Sequence, residues 1–198
     1  MIDFKKSDGL VPAIIQDAAS RQVLMLGYMN EPAYKQTKKS GKVTFYSRSK
    51  KRLWVKGEES GNFLNVVDIK EDCDNDALLI LARPEGPTCH TGSYSCFGEE
   101  EFSLKTLEKD IIKRTGADPK ESYTALLASE GIEKINNKIT EEAEEVTRAA
   151  VSETSRRVVE ESADLLYHLL VLLTQKKITL SDVEAELETR RGKKSKSL

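Results

Sequence analysis

Near residue 100 the chain changes its rhythm. Before that point short apolar or alternating runs recur: VPAIIQD (11–17), VLMLGYM (23–29), KVTFYSRS (42–49), RLWVKG (52–57), LNVVDIKED (64–72) and ALLILAR (77–83). Gly, Asn, Asp and Ser punctuate them, so they read as strands. EPAYKQTKKS (31–40) reads as one short helix ahead of Gly41. Beyond that point TLEKDIIKR, YTALLASE, IEKINNKITEEAEEVTRAAV, RRVVEESADLLYHLLVLLTQ and SDVEAELETRR carry helical spacing. Ser181 and Glu184 form a capping-box pattern for the last helix. Composition follows the rhythm. Cys73, Cys89 and Cys96 all precede Ser103, as do four of the five prolines. For 198 residues, at about 150 per domain, this predicts two domains. A β-rich α+β domain would span 1–100 and an all-α domain 101–191, with the seam near Phe97–Phe102. Each half can bury only a limited core, which favours oligomerisation. Residues 192–198, the end of RRGKKSKSL, read as a disordered basic tail, with an anion-binding arm as the alternative.

A formal net charge of -2 argues against a nucleic-acid protein. Three cysteines are too few for a disulfide framework and suit a reducing compartment. No apolar run approaches the roughly 20 residues that cross a bilayer. The start, MIDFKKSDGLVPA, lacks the apolar core of a signal peptide. The expected address is therefore the cytoplasm.

The first chemical signal is Asp72-Cys73-Asp74-Asn75-Asp76. Carboxylates at i, i+2 and i+4 repel one another and need a reason to sit together. A calcium loop fails, because Ala77 stands where the loop needs Gly and Arg83 where it needs Glu. In an extended segment the three Asp would face one way and Cys73 the other. The acidic side would suit Mg2+ and the thiol Zn2+, while a solvated acidic turn is the structural alternative. Cys89 and Cys96 lie in PTCHTGSYSCF, and the full pattern C-x15-C-x6-C is no standard finger spacing. Three thiolates fall one short of a closed structural zinc site. A zinc with an open position lowers the pKa of a bound water to about 7, as in zinc nucleobase deaminases, whose C-x-x-C is absent here. His90 reads as a fourth ligand, a proton-transfer residue or a loop histidine. Upstream, residues 47–56 hold five cations and two serines between strands. They form either a phosphate grip or a solvated turn.

The motifs SRSKKRLWVKGEESGN, DCDND and CHTGSYSCF, in this order, resemble phosphoribosyl-AMP cyclohydrolase of histidine biosynthesis over residues ~9–98. The resemblance implies zinc on Cys73, Cys89 and Cys96, and magnesium on Asp72, Asp74 and Asp76. It also implies a homodimer in which Cys73 and the other two cysteines come from different subunits, in keeping with a Cys73 that points away from its neighbours' side. The implied reaction opens the adenine ring of phosphoribosyl-AMP between N1 and C6. His90 is then the candidate for proton transfer, and Ser47, Arg48 and Lys56 are candidates for the substrate phosphate.

In the helical half, Glu142 and Glu145 share one helix face, and Glu161 and Asp164 repeat that spacing on the next helix. Apolar stripes are expected along Ile139, Ala143, Val146 and Ala150, and along Val159, Leu166, Leu169, Leu170 and Leu173. Two antiparallel helices could bring the four carboxylates together beside the core. Few basic residues stand four positions on to compensate Glu142 or Glu145, so converging acids there call for Mg2+. A pair of solvated acidic faces is the alternative. His168 reads either as orienting a carboxylate or as packing.

From ~Ser103 to ~Arg191 the motifs SYTALLASEG, KITEEAEEV and ESADLLYHLLVLL resemble phosphoribosyl-ATP pyrophosphohydrolase. That family belongs to the all-helical, MazG-like superfamily of house-cleaning nucleotide pyrophosphatases. Thr140 stands where the family usually has Gly. The resemblance implies Mg2+ held by Glu142, Glu145, Glu161 and Asp164, with Glu141 as a further ligand and Lys138 on phosphate. Water would attack between the α and β phosphates.

Together the halves imply a bifunctional hydrolase. Phosphoribosyl-ATP would become phosphoribosyl-AMP and pyrophosphate, and phosphoribosyl-AMP would become the formimino aminoimidazole carboxamide ribotide. The partners implied are these small molecules and a second copy of the chain, with no nucleic acid and no membrane. The competing classes are a general nucleotide pyrophosphatase with a zinc dimerisation module, and a non-enzymatic zinc scaffold.

Overall fold

A computed structural model describes residues 2–6 and 8–191; the basic tail 192–198 lies outside the described residues. These residues fall into two compact units, within Met1–Glu101 and Phe102–Leu198. The first is strand-rich and the second helical, as the two rhythms predict. No helix among the described residues is long and apolar enough to cross a membrane.

In the first unit, β1 (Val11–Asp17) pairs antiparallel with β2 (Val23–Met29) and parallel with β6 (Leu78–Pro84). β5 (Leu64–Glu71) adds antiparallel to β6, giving the order β2-β1-β6-β5. β1 is buried at every second residue, Val11, Ala13, Ile15 and Asp17, the period-2 pattern of a strand with one face inside. Pro12 lacks an N–H, and the β1–β6 ladder begins only at Ala13. The helix α1 (Glu31–Ser40) starts at Asn30, whose side chain accepts from the Ala33 N–H, and ends at Gly41, φ 69°. The hairpin β3 (Thr44–Ser47) and β4 (Arg52–Val55) forms a second small sheet. Thr37 Oγ1 ties α1 to it by accepting from the Thr44 N–H at 2.9 Å. The ring of Phe45, fully buried, packs 5.3 Å from that of Trp54.

The second unit comprises α2 (Leu104–Thr115), α3 (Tyr123–Glu130), α4 (Ile132–Ser152), α5 (Ser155–Gln175) and α6 (Leu180–Arg190). α4 packs against α5, and α2 and α3 close over them. Ile111, Leu127, Ile135, Leu170 and Val171 form the core.

Three expectations are corrected. The last helix is capped two residues earlier than Ser181. Thr179 accepts from the Asp182 N–H and Asp182 reaches back to the Thr179 N–H, so the register that seats Leu180 against the core wins. Residues 72–76 form a turn with Asn75 at φ 62°, not an extended segment. Asp72 Oδ1 accepts from the N–H groups of Asp76 (2.9 Å) and Ala77 (3.0 Å), and that closes it. The apolar stripes are also rotated. Ile139, Leu170 and Leu173 meet the core, but Val159, Leu166 and Leu169 are exposed and so is Ala150. The face of α5 that meets α4 carries Glu161, His168 and Val171 instead.

Candidate active sites

The Cys89–Cys96 loop, the β3–β4 hairpin and the loop after β4 surround a cavity of about 590 Å³. Ser47, Lys56, Cys89, His90 and Cys96 all line it. The loop is held from below: Tyr94 Oη donates to Asp17 Oδ2 at 2.5 Å, and Ser95 Oγ donates to the Val23 carbonyl at 2.8 Å. Asn62 Nδ2 donates to the Pro87 carbonyl at 3.2 Å and fixes the opposite wall. Gly57, at φ 98°, approaches the Asn62 backbone so closely that a Cβ would lie 2.6 Å from its carbonyl carbon.

Cys89 Sγ accepts from Thr91 Oγ1 at 3.0 Å, and that hydrogen bond leads in pulling the thiol below its usual range. Desolvation pushes the Cys96 thiol up. His90 Nδ1 lies 3.8 Å from Cys89 Sγ. Lys56 is buried, and desolvation lowers its ammonium against the opposing pull of Cys96 and Cys89. The hydroxyl of Thr88, on the wall, is buried without a hydrogen-bond partner. Arg48 does not line this cavity; its guanidinium lies 4.1 Å from the centre of the Tyr28 ring.

Cys73 is exposed on the acidic turn, and among the described residues of one chain the three cysteines do not form one group. Asp72, Asp74 and Asp76 do, with ligand oxygens within 4.8 Å of one another. The Ala77 N–H leads in holding Asp72 below the usual carboxylate range, whereas desolvation and the two neighbouring acids push Asp76 up. Lys6 reaches into this turn, its Nζ 2.6 Å from the Asp74 carbonyl, 3.2 Å from Asp74 Oδ2 and 3.7 Å from Asp76 Oδ2.

In the helical unit Glu142, Glu145 and Glu161 offer oxygens within 4.8 Å of one another. Glu142 and Glu161 are buried. These acids are compensated, though not at the position four residues on. Lys138 Nζ is 3.5 Å from Glu142, Arg148 3.1 Å from Glu145, and Arg157 makes a close ion pair with Glu161. The preceding turn and the i+3 position face the same side of a helix as well as i+4 does. Arg148 holds Glu145 below its usual range, and burial pushes Glu161 up. Asp164 is exposed and outside the group, although it stands three residues from Glu161 just as Glu145 stands three from Glu142. Glu141 is exposed and bonds Lys138 at 2.7 Å. The Thr140 hydroxyl donates to the Asn136 carbonyl, so the helix absorbs it.

Thr88, Thr91, Arg148 and Arg157 are absent from the sequence reading. Thr91 stands two residues from Cys89 and Arg157 four before Glu161, so local spacing could have pointed to both. Thr88 could not be found that way, because only the folded wall buries its hydroxyl.

Residues 25–98 match the phosphoribosyl-AMP cyclohydrolase family and residues 104–191 the phosphoribosyl-ATP pyrophosphohydrolase family. A Bacteroides thetaiotaomicron protein named histidine biosynthesis bifunctional protein HisIE is 54% identical over 193 residues, 96% of this chain and 95% of that protein. The Escherichia coli K12 protein of the same name is 51% identical over 192 residues, with the same two shares. The one from Staphylococcus epidermidis is 51% identical over 198 residues, 98% of this chain and 93% of that protein. With a cyclohydrolase region preceding a pyrophosphohydrolase region over nearly its full length, the chain belongs to the bifunctional HisIE enzymes of histidine biosynthesis.

Proposed function

We propose that each unit carries one of the two activities on its own metal. The observation that carries this reading is the separation of donor chemistry. Thiols, an imidazole and a buried ammonium line the cavity of the first unit, which also carries the Asp72, Asp74 and Asp76 turn, while three carboxylates and no thiol meet in the second. Soft thiolates suit Zn2+ and oxygen ligands suit Mg2+.

In the helical unit Glu142, Glu145 and Glu161 would hold Mg2+, with Asp164 and Glu141 as neighbouring donors. When bound, the ion would offset the charge of the phosphates between which water attacks. Lys138, at the edge of this cluster, places a cation for the phosphates of phosphoribosyl-ATP. Arg148 and Arg157 keep Glu145 and Glu161 in place.

In the first unit Cys89 and Cys96 would hold Zn2+, with Cys73 supplied by the second copy of a homodimer. The isolation of Cys73 within one chain supports that sharing, and the Asp72, Asp74 and Asp76 turn would then bring Mg2+ beside the same cavity. When bound, zinc would supply a Lewis acid for the attack of water on phosphoribosyl-AMP. Water adds its oxygen at C6, the N1–C6 bond breaks and N1 takes a proton. His90, on the cavity wall, is placed to carry that proton. Lys56 lies on the same cavity wall as the thiols, and Ser47 lies where the hairpin can meet the substrate phosphate. Arg48 would have to leave Tyr28 to join it. The whole works as a cytoplasmic enzyme.

The test is metal analysis of the purified chain together with turnover of phosphoribosyl-ATP, following both products. Glu145→Gln should abolish pyrophosphate release while added phosphoribosyl-AMP is still opened, and Cys89→Ala should do the reverse. Hydrolysis of ordinary nucleoside triphosphates, with none of phosphoribosyl-ATP, would overturn the assignment.

A further inference from the structure

The group in the helical unit that this mechanism leaves unused is His168. It is 5% exposed, and two full turns after Glu161 on α5 it faces the same way. Its Nε2 lies 3.1 Å from the hydroxyl of Tyr123. Its Nδ1 is buried without a hydrogen-bond partner and lies 3.7 Å from Glu142 Oε1. The same oxygen is 3.5 Å from Lys138 Nζ. The ring plane is set by its neighbours: Tyr123 and Tyr167 stand edge-on to it at 6.2 and 5.4 Å, and Tyr167 is anchored by Thr124 at 2.7 Å.

We propose that His168 is a positioning residue for Glu142, held by Tyr123 as the tautomer whose proton sits on Nδ1 and faces the carboxylate. The inference rests on the reading of Glu142 as part of the acidic metal site. The chemistry decides between the two neutral tautomers. A phenol can either donate or accept, but an ionised carboxylate only accepts. If Nε2 carried the proton, the lone pair of Nδ1 would face a buried carboxylate oxygen 3.7 Å away, and neither acceptor could satisfy the other. If Tyr123 donates to Nε2, the proton falls on Nδ1 and faces that oxygen. Burial holds the Tyr123 phenol above its usual range, so it keeps a proton that it can donate to Nε2. Glu142 is then gripped on Oε1 from the core side by an imidazole and from the surface side by an ammonium. That fixes its carboxylate plane relative to Glu145 and Glu161. A partner of this kind to a metal-site carboxylate typically matters by about 10–100-fold.

Two readouts test this. The chain has two histidines, so ring nitrogen-15 spectra of the full-length protein contain two imidazoles, assigned with His168→Asn. A protonated Nδ1 and a bare Nε2 on His168 are expected; the opposite tautomer overturns the proposal. In activity, His168→Asn places an amide N–H near the Nδ1 position and His168→Gln near Nε2. The Asn variant should keep most pyrophosphate release. The Gln variant should lose about 10–100-fold in kcat with KM little changed, while an unchanged helical circular-dichroism melt of the same preparation reports that the second unit is folded. Equal loss in both variants overturns the positioning role. The tautomer is read without metal or substrate. A Glu145→Gln chain that still releases pyrophosphate would instead sink the site assignment, whatever the tautomer proves to be.

Discussion

At the scale of single residues, the cysteine loop depends on one phenol. Asp17 is 2% exposed and accepts from the N–H groups of Ala19 (2.6 Å) and Ser20 (3.0 Å) and from Tyr94. Burial first, and then Asp17, raises the Tyr94 phenol, so it keeps its proton for Asp17 at neutral pH. Tyr94→Phe removes one of three donors from a buried carboxylate. The expected cost is about 1–3 kcal/mol, seen as a lower melting temperature, and it should fall on ring opening because Tyr94 lies between Cys89 and Cys96. A second sensitive point is Gly27. A Cβ there would come 2.3 Å from the buried Phe45 ring. Gly27→Ala therefore overpacks the sheet and should destabilise by about 1–3 kcal/mol in thermal or urea unfolding.

At the scale of elements, α6 shows how a helix with no buried residue is held. Its box joins Thr179 and Asp182, the Leu180 N–H donates to Glu108 at 2.5 Å, and Lys105 pairs with Glu184 at 2.7 Å. Thr179→Ala should cost about 1 kcal/mol. The bonds from Thr179 hold Asp182 below the ordinary carboxylate value. A depressed carboxylate stabilises above its unfolded pKa, and that contribution fades as pH falls through the folded pKa. Helicity should therefore drop on the acid side, and Asp182→Asn should remove that dependence; an unchanged acid limb would refute the link. Strand and helix limits were legible from sequence because periodicity is local: β1 and β2 coincide with their apolar runs. The phase of a helix is not local. Val159 and Val171 both sit in apolar company in the sequence, yet Val159 is 63% exposed and Val171 fully buried, because the α4 surface decides which face turns inward. The acidic turn was illegible for the same reason. Spacing alone fits a strand, and the bonds within the turn, with Lys6 reaching it from 68 positions away, decide otherwise. Among the candidate site residues, Glu142, Glu145 and Glu161 follow from helix geometry, whereas the exposure of Asp164 and the seat of Arg48 on Tyr28 depend on folded surroundings that spacing does not encode.

At the scale of the whole molecule, the two units have separate cores, one around Ile15, Phe45 and Ile80 and one around Ile111, Ile135 and Leu170. Truncating a fully buried aliphatic side chain costs about 2–5 kcal/mol, and the cost stays with the core it came from. Ile135→Ala should lower the temperature at which pyrophosphate release is lost and leave that of ring opening in place; parallel loss of both would show that the cores melt as one. The Lys6 contact has a practical corollary. Lys6 pairs with an acidic turn 68 positions further along the chain. A fusion or trimming that displaces residues 3–6 would leave Asp74 and Asp76 without their ammonium. If the turn takes Mg2+ as proposed, preparations differing only at that end should differ in how tightly they take up that ion.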